Sequence, residues 1–574
     1  MSENRASGVS DTAVLVAVGT AIALGAVLWL WGGIAGAAFG NGWAGPRAGQ
    51  LPGVLIALPG HLSNPAGAWP ASERSKLPGP AGFYAALLVP GGAALMLGVL
   101  AARRSGAGLR RFARGGAKWA SAADLKVLRE RAGHVRAERS GAGHARAGRL
   151  VLGRHNGHLL RAEHRHALVA FGPPQSGKSA GLAVPALLEW DGPAVASSIK
   201  TDLLSATLAR RRALGRAFVF DPFELAGTPS HTWSPLHGAC TWDGALEVAW
   251  RMAAAGELDQ RGVEGGDFWA VAAEQRLAPL LYAAAGIGAQ IDTVVRWTYG
   301  QGSRELHDAL ARRTEMAGDE AELAGAHAAY DAVRAFETQA DRTRSSIEGT
   351  AQALLRAYRF ARVAHSARSC EITADRLLDE TATLYLIGDA KASKLLRPIF
   401  LALLGEVVDR AYERATLAGG QLALPLLLCL DEAGNVAPLP NLAEIASTAP
   451  SHNIQLVSIF HDLAQARTRY GQQAETLVNS HRARMLLPGV ADLETLRYFS
   501  GLAGEEEAKD LTRTTGAGGT SRSSARRRRP LVAPEALRQL PDGHALLLYG
   551  RIPPAEVRLR MWFADRRLQR LARA

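Results

Sequence analysis

Residues 166–181, HALVAFGPPQSGKSAG, combine glycine, lysine and serine at a spacing that can hold a phosphate chain. Glycines at both ends of a turn let its backbone N–H groups converge on phosphate oxygens. Lys178 can reach the β and γ phosphates of ATP, and the Ser179 hydroxyl can ligate Mg²⁺. The sequence therefore predicts a P-loop, and its candidate nucleotide-binding residues are Gly172, Pro173, Pro174, Gln175, Ser176, Gly177, Lys178, Ser179 and Ala180.

A pair of carboxylates, Asp431 and Glu432, is the second candidate chemical group. The pair follows the apolar run LLLCL, which has the length of a buried strand. A P-loop needs such an acidic strand end to hold the metal and its water shell. Asp431 is therefore predicted to bind Mg²⁺ together with Ser179, and Glu432 to act as the general base that polarises the attacking water.

His461 ends the next apolar run, IQLVSIF. In RecA-like sheets the strand after the acidic one lies beside the P-loop strand, so its end can contact the γ-phosphate. The predicted catalytic residues are thus Lys178, Glu432 and His461. A surface histidine at a strand end is the alternative interpretation.

The stretch LAGGQ, residues 417–421, has the letters of an ABC-type signature loop. That loop must open a helix before the acidic strand begins, but Pro425 and the strand itself fill the space before Asp431. The stretch is therefore predicted to be a glycine-rich turn between a helix at 396–416 and the acidic strand.

The elements that must position these groups alternate between strand and helix. HALVAF, PAVASSI, AFVFDPF and TATLYLIGDA have strand patterns, and helix-like stretches follow the first two. Between 266 and 369 strand patterns vanish and apolar residues recur at helical spacing. The predicted fold class is α/β, a RecA-like P-loop core with an inserted all-helical domain. The predicted parts are core 150–265, helical insertion 266–369 and core 370–574.

Residues 514–525, TTGAGGTSRSSA, are rich in small polar residues and are predicted to form a flexible loop. Arg526 to Arg529 follow this stretch. A solvated charge run and a contact with nucleic acid are both possible for them. HALLLYGRIPP, residues 544–554, is predicted to be a closing strand and turn.

Two uncharged runs near the N-terminus, residues 12–31 and 83–102, each have about the length that crosses a bilayer. Arginine and lysine are denser after the second run than between the runs, which places both chain ends in the cytoplasm. The prediction is a two-helix transmembrane anchor, residues 1–105, with an external loop at 41–82 and a basic cytoplasmic linker at 106–149. A signal peptide and a buried core helix are the alternatives for the two runs.

The net charge is +13, and only eight of the 66 basic residues are lysines. This balance fits contact with nucleic acid or with an anionic membrane face, without choosing between them. Cys240, Cys370 and Cys429 share no metal-binding spacing and form no disulfide framework, which favours a reducing cytosol.

In the order and spacing of its motifs the chain resembles the type IV secretion coupling proteins, the TraG/TraD-type conjugation ATPases. Besides the P-loop, the resemblance is carried by SSIKTDLL, HTWSPL, DFWAVAAEQRL, TRSSIEGTAQALLRAY, LLLCLDEAGNVAPLPNL, IQLVSIFHDLAQARTRYG and RRPLVAPEALRQLPDGHALLLYG. These stretches extend from about residue 150 to about residue 560.

The resemblance implies a homohexameric ATPase of the bacterial inner membrane, with ATP and Mg²⁺ as cofactors. It implies that the protein couples single-stranded DNA with its relaxase to the type IV secretion channel components and drives DNA transfer. The helical domain would recognise the cargo. Two departures from the family pattern affect the site: His461 replaces the usual Gln, and STAPSHN before its strand lacks the arginine that often acts across the subunit interface. Arg482 and Arg484 are the remaining candidates for that arginine.

Three alternatives stay open. An FtsK-like translocase of double-stranded DNA shares the core and the anchor, but lacks so large a helical insertion. A nucleotide-binding cargo receptor with little hydrolysis fits the two departures at the site. A coupling ATPase for protein cargo alone is the third alternative.

Overall fold

The structure is a computed structural model that describes residues 11–86, 116–129, 149–260, 266–516 and 519–574. Within these ranges it describes no side chains for 11–23, 256–260, 266–267, 509–516 and 519–525. The chain forms two compact units, Met1–Gly115 and Gly116–Ala574, and each is described by itself.

The first unit consists of helix α1, Asp11–Phe39, and the short helices α2, Leu51–Ala57, and α3, Ala71–Arg74. Its core is aromatic: the rings of Trp31 and Trp69 each pack edge-on against Phe83, with centroids 4.8 and 4.7 Å away. The predicted run 12–31 thus lies within a helix, whereas the run 83–102 lies outside the described residues except at its start.

The predicted anchor is not established by the structure. Among the described residues, none of the helices has both the length and the apolar character needed to cross a membrane.

The second unit is built on a sheet of eleven strands among the described residues, in the order β2-β1-β13-β12-β9-β3-β8-β7-β4-β6-β5. The strands are β1 Val151–His155, β2 His158–Arg161, β3 Leu168–Phe171, β4 Ala194–Ser198, β5 Ala217–Phe220, β6 Thr383–Ile387, β7 Leu426–Leu430, β8 Ile454–Phe460, β9 Ala483–Leu486, β12 His544–Tyr549 and β13 Ile552–Arg558. Two further strands, β10 Glu505–Gly516 and β11 Gly519–Pro530, form a separate sheet.

The strands from β9 to β5 in this order run parallel, and the remaining four extend the sheet antiparallel. Every residue of β3, β4, β6, β7 and β8 is buried. A parallel sheet covered on both faces requires such continuous apolar runs. The P-loop strand β3 pairs with β8, which confirms the predicted position of the strand that ends before His461.

Helices cover both faces of this sheet. They are α4 Val184–Glu189, α5 Asp202–Leu214, α6 Pro235–Gly238, α7 Trp242–Gln260, α8 Gly266–Gly286, α9 Ile291–Thr298, α10 Ser303–Glu315, α11 Glu320–Glu337, α12 Asp341–Leu355, α13 Ala361–His365, α14 Ala374–Asp379, α15 Ala390–Leu417, α16 Leu442–Thr448, α17 Leu463–Tyr470, α18 Gln473–Ser480, α19 Leu493–Ala503, α20 Pro534–Arg538 and α21 Arg566–Arg573.

The helices α6 to α14 separate β5 from β6 and form the helical segment of the unit. This segment begins earlier and ends later than the predicted stretch 266–369. Its buried side chains, such as Leu277 and Leu310, belong to one hydrophobic cluster with Val169 and Phe171 of the sheet. The helical segment therefore packs as part of the core.

The prediction of a flexible loop at 514–525 is wrong. Strands β10 and β11 pair without interruption from Glu505 opposite Pro530 to Gly516 opposite Gly519. Small polar residues suggested flexibility, but threonine favours extended backbone and the paired backbone groups satisfy each other. The predicted turn at 417–421 is confirmed, because Gly419 and Gly420 follow α15 with φ of 84° and 107°.

The fully buried Arg211 of α5 links the loop before β4 to the start of β6. Its guanidinium donates hydrogen bonds to the carbonyl oxygens of Trp190 and Gly192 and to the Thr383 hydroxyl. Burial lowers the pKa of Arg211 to about 10, so the side chain stays charged at neutral pH.

Replacing Arg211 with methionine should destabilise the second unit by at least about 3 kcal/mol, because three buried acceptors lose their donor at about 1–3 kcal/mol each. The neighbouring exposed Arg212 is the matched control, and Arg212→Met should change stability by less than about 0.5 kcal/mol. Denaturant unfolding of both variants measures the difference, and equal midpoints would contradict the role of Arg211.

Candidate functional site

The predicted phosphate loop directly follows β3. The N–H of Gly172 donates to the carbonyl oxygen of Phe460, 3.0 Å away, and so ties the start of the loop to β8. Gln175 and Gly177 have φ of 68° and 85°, in the left-handed region. The left-handed φ favours glycine at position 177; a Cβ there would also lie 2.6 Å from Cε of Met561, so the end of that side chain would have to move.

Lys178 lies over this loop. Its Nζ donates to the carbonyl oxygen of Gly172 at 3.2 Å and lies 3.4 Å from Nδ1 of His461. Burial lowers the pKa of Lys178, while the nearby Glu432 and Asp431 partly offset this by favouring the charged form. The backbone from Ser179 to Ala183 forms one wide π turn, which leads into α4.

Ser179 and Asp431 meet although they are far apart in sequence. The Ser179 hydroxyl donates to Oδ2 of Asp431 at 2.6 Å, and the N–H of Asp431 donates to the carbonyl oxygen of Ser197. The other carboxylate oxygen, Oδ1, is buried and has no hydrogen-bond partner among the described residues. Burial raises the pKa of Asp431. A hydroxyl and a carboxylate with an open oxygen form a donor set suited to Mg²⁺.

Glu432 has φ of 62°, a conformation that costs free energy outside glycine and often occurs at functional sites. Its Oε2 accepts a hydrogen bond from Nδ2 of Asn435 at 2.9 Å and lies 3.6 Å from Nε2 of His461. Burial alone would raise its pKa, but the contacts with His461 and Asn435 and the charge of Lys178 lower the pKa overall. Glu432 is therefore ionised at neutral pH, as a general base must be.

These groups surround one cavity of about 680 Å³. Of the predicted residues, the loop from Pro174 to Ala180, both carboxylates and His461 line the cavity, whereas Gly172 and Pro173 do not. Several lining residues were missed by the sequence reasoning: Ser198, Lys200, Asp202, Asn435, Asp542, Gly543, Met561 and Phe563. Of these, Ser198, Lys200 and Asp202 lie in the quoted SSIKTDLL motif, whose position after a strand was the available signal.

The C-terminal wall of the cavity is held by buried charges. Arg560 donates to Glu189 at the end of α4 and to Asp565 ahead of α21, at 2.9 and 2.8 Å. Arg161 of β2 reaches the same Glu189 at 3.3 Å. This network holds Met561 and its neighbours against the P-loop. These contacts join residues that are far apart in the sequence, so no local sequence pattern could predict them.

The two candidate trans-acting arginines lie at the amino end of β9. Arg482 pairs with Glu163 at 3.2 Å, and Arg484 donates to the carbonyl oxygens of Val478 and Asn479. The P-loop follows the carboxyl end of β3, which runs parallel to β9. Within one chain these arginines are therefore at the other edge of the sheet, and their role across an interface stays a prediction.

A glycine-framed loop after one parallel strand, and an acidic pair after a second strand two positions away, define the α/β P-loop class of nucleotide-binding proteins. The chain belongs to the type IV secretory system conjugative DNA transfer family, whose model matches residues 118–573. The resemblance noted from the motifs is thereby confirmed.

Two curated relatives illustrate the similarity. The conjugal transfer protein TraG of Escherichia coli is 23% identical over 414 residues, covering 67% of this chain and 63% of TraG. Protein VirD4 of Agrobacterium fabrum (strain C58 / ATCC 33970) is 23% identical over 443 residues, covering 72% of this chain and 61% of VirD4. The match thus spans less than two thirds of either relative.

Solved structures share the fold. The unbound bacterial conjugative coupling protein TrwB superposes with a TM-score of 0.57 and 20% identity, covering 78% of this chain and 93% of that chain. The plasmid coupling protein TrwB in complex with ADP and Mg²⁺ gives a TM-score of 0.56 and 19% identity, covering 78% and 94%.

The hydrogen bond between Ser179 and Asp431 leads to a prediction for metal-dependent binding. Ser179→Ala should weaken the affinity for ATP in the presence of Mg²⁺ by about 10- to 100-fold, and much less when the metal is chelated. Ser205→Ala, which removes an exposed hydroxyl of α5 outside the cavity lining, is the control and should leave both affinities unchanged. Titration with a fluorescent ATP analogue measures both, and equal losses with and without Mg²⁺ would contradict the role of Ser179.

Proposed function

We propose that this chain is the coupling ATPase of a conjugation system, which binds ATP with Mg²⁺ and uses hydrolysis to move DNA into a type IV secretion channel. The observation that carries this proposal is the convergence of Lys178, Ser179, Asp431 and Glu432 on one cavity. The family description and the TrwB complexes with ADP and Mg²⁺ and with a non-hydrolysable ATP analogue support it.

The chemistry follows from the positions of the side chains. Lys178 would contact the β and γ phosphates, with the loop N–H groups beside it, and Ser179 and Asp431 would hold Mg²⁺. The metal supplies neutralisation of phosphate charge when it is bound. Glu432, held by Asn435, would accept a proton from the attacking water.

His461 lies between the lysine and the general base. Its Nδ1 is 3.4 Å from Nζ of Lys178, and its Nε2 is 3.6 Å from Oε2 of Glu432. With ATP bound, Lys178 would turn towards the phosphates and free one imidazole nitrogen for the γ-phosphate or the water. A change in the position of His461 would then reach α17 through the hydrogen bond that the backbone N–H of His461 donates to the Gln465 side chain.

The proposed partners are single-stranded DNA with its relaxase and the components of the secretion channel, and the proposed assembly is a homohexamer. The helical segment would take part in cargo recognition. A nucleotide-binding receptor with little hydrolysis is the second candidate, because STAPSHN contains no arginine that could act across an interface. The rate of phosphate release decides between them.

We also propose a location in the bacterial inner membrane, with two passes and the bulk of the chain in the cytoplasm. The uncharged run 12–31 of the sequence, which has about the length that crosses a bilayer, supports this proposal. The positive residues that follow the second apolar run support the orientation.

Lys178→Ala and Glu432→Gln should each lower phosphate release and plasmid transfer at least about 100-fold. The first variant should also lose ATP binding, whereas the second should keep it. Glu475→Gln, an exposed carboxylate outside the cavity, is the control. Transfer of a marked plasmid at the wild-type rate in either site variant would contradict the motor function.

Deletion of residues 1–105 should release the chain from the membrane and leave a weakly active, mostly monomeric ATPase. Flotation of vesicles and sedimentation of the truncated chain provide the measurement. A truncated chain that still floats with the vesicles would overturn the proposed anchor, and it would leave the nucleotide site unaffected.

A further inference from the structure

The end of the helical segment presents a surface on which arginines and aromatic rings alternate. We call it the arginine–aromatic patch, and it consists of Tyr299, Arg356, Arg359, Phe360, Arg362 and Arg368. It is formed by the turn after α9, the short turn Arg356–Arg359 and helix α13.

Two aromatic rings of the patch are open to solvent, and each has a contact within the patch or beneath it. Phe360 is 49% exposed and packs edge-on against Phe223, with centroids 5.5 Å apart. Tyr299 is 44% exposed, and the guanidinium of Arg359 lies 5.9 Å from its ring centroid. Arg362 donates to the carbonyl oxygen of Phe223 at 3.1 Å, which fixes the support beneath Phe360. The rings are thus preformed stacking platforms.

The charge of the patch is not neutralised. Arg356, Arg359, Arg362 and Arg368 are all exposed, and none of the four forms an ion pair with a carboxylate among the described residues. Glu224, an exposed carboxylate next to Phe223, is not paired with them in that part of the chain. The charges of Arg359 and Arg362, next to the two open rings, and of Arg356 and Arg368 on the same chain segment are therefore available to a ligand.

We propose that the arginine–aromatic patch binds single-stranded nucleic acid, with the arginines on its phosphates and its bases stacked on Phe360 and Tyr299. Sequence-independent binding of single strands combines these two features, because every base has a face that can stack and every nucleotide carries a phosphate. A duplex keeps its bases stacked on each other and cannot use the rings. This inference rests on the proposed function and identifies a surface for its substrate.

A second arginine-rich surface, on the ribbon of β10 and β11, carries exposed charge but no aromatic ring. Arg529 pairs with Glu506 at 2.8 Å, and Arg526 lies 3.7 Å from Glu507. Residues 505–530 contain no aromatic residue. The ribbon is therefore a partly neutralised, solvated surface, and its exposed arginines supply a control of equal charge.

The test measures binding of a fluorescent 30-mer of thymidylate to the full-length chain without nucleotide, over a range of salt concentrations. Phe360→Leu keeps an apolar side chain against Phe223 but removes the ring. It should weaken binding at least about fivefold with an unchanged salt dependence. Arg356→Ala combined with Arg368→Ala should lower the slope of log K against log salt by about 1.4.

The matched control is Arg527→Ala combined with Arg528→Ala on the ribbon, which should leave both affinity and slope unchanged. Binding of a duplex of equal length should be unaffected by Phe360→Leu. Melting curves of all variants should superpose on the wild type, which separates lost binding from lost folding.

Three results would overturn the proposal. One is wild-type affinity in both patch variants while the unaltered chain binds the strand. Another is a loss of affinity for the 30-mer in the ribbon variant alone. The third is displacement of the 30-mer by polyglutamate as readily as by unlabelled strand, which would identify an acidic protein partner. An unaltered chain that binds neither single nor double strands would instead refute the proposed DNA-coupling function, and the patch with it.

Discussion

Parallel pairing of β3 with β8 and of β8 with β7 is the constraint on which the candidate site depends. The register sets Phe171 opposite Phe460 and Leu430 opposite Ser458, so the loops after all three strands leave the same edge of the sheet. A slip of one residue would turn the side chains of a strand to its other face. Because these strands are buried on both faces, the hydrophobic core fixes the register. The 2.6 Å contact between Ser179 and Asp431 is therefore a consequence of core packing.

The site also concentrates features that are individually unfavourable. Glu432 adopts a left-handed backbone conformation, Asp431 buries an oxygen without a hydrogen-bond partner in the described part of the chain, and Lys178 is held where burial opposes its charge. Such features persist only where the surrounding structure holds them. The buried pair of Arg560 and Glu189, 2.9 Å apart, fixes the C-terminal segment whose Met561 and Phe563 line the same cavity. That segment is thus part of the wall of the candidate nucleotide site.

Short sequence patterns were sufficient to predict an element where its chemistry and packing depend on residues that are neighbours in the sequence. The acidic strand and the strand before His461 have the predicted bounds, because largely apolar runs of strand length between turn residues are stable as buried strands. The ribbon at 505–530 was missed because its pairing, and not its composition, stabilises it. Met561 and the buried Arg211 were missed for a different reason: their partners lie far away in sequence, and only the completed sheet brings them together.

The same reasoning explains why net charge alone could not identify a binding surface. The arginine run 526–529 is the most conspicuous basic stretch in the sequence, yet the opposite strand brings glutamates to it. Arg359 and Arg362 are inconspicuous in the sequence, and the fold places them next to the open rings of Tyr299 and Phe360. Phe223, which supports that patch, follows β5, a strand that runs in the same direction as β7 in one sheet. The patch and the nucleotide site therefore lie at the same, carboxyl edge of the sheet.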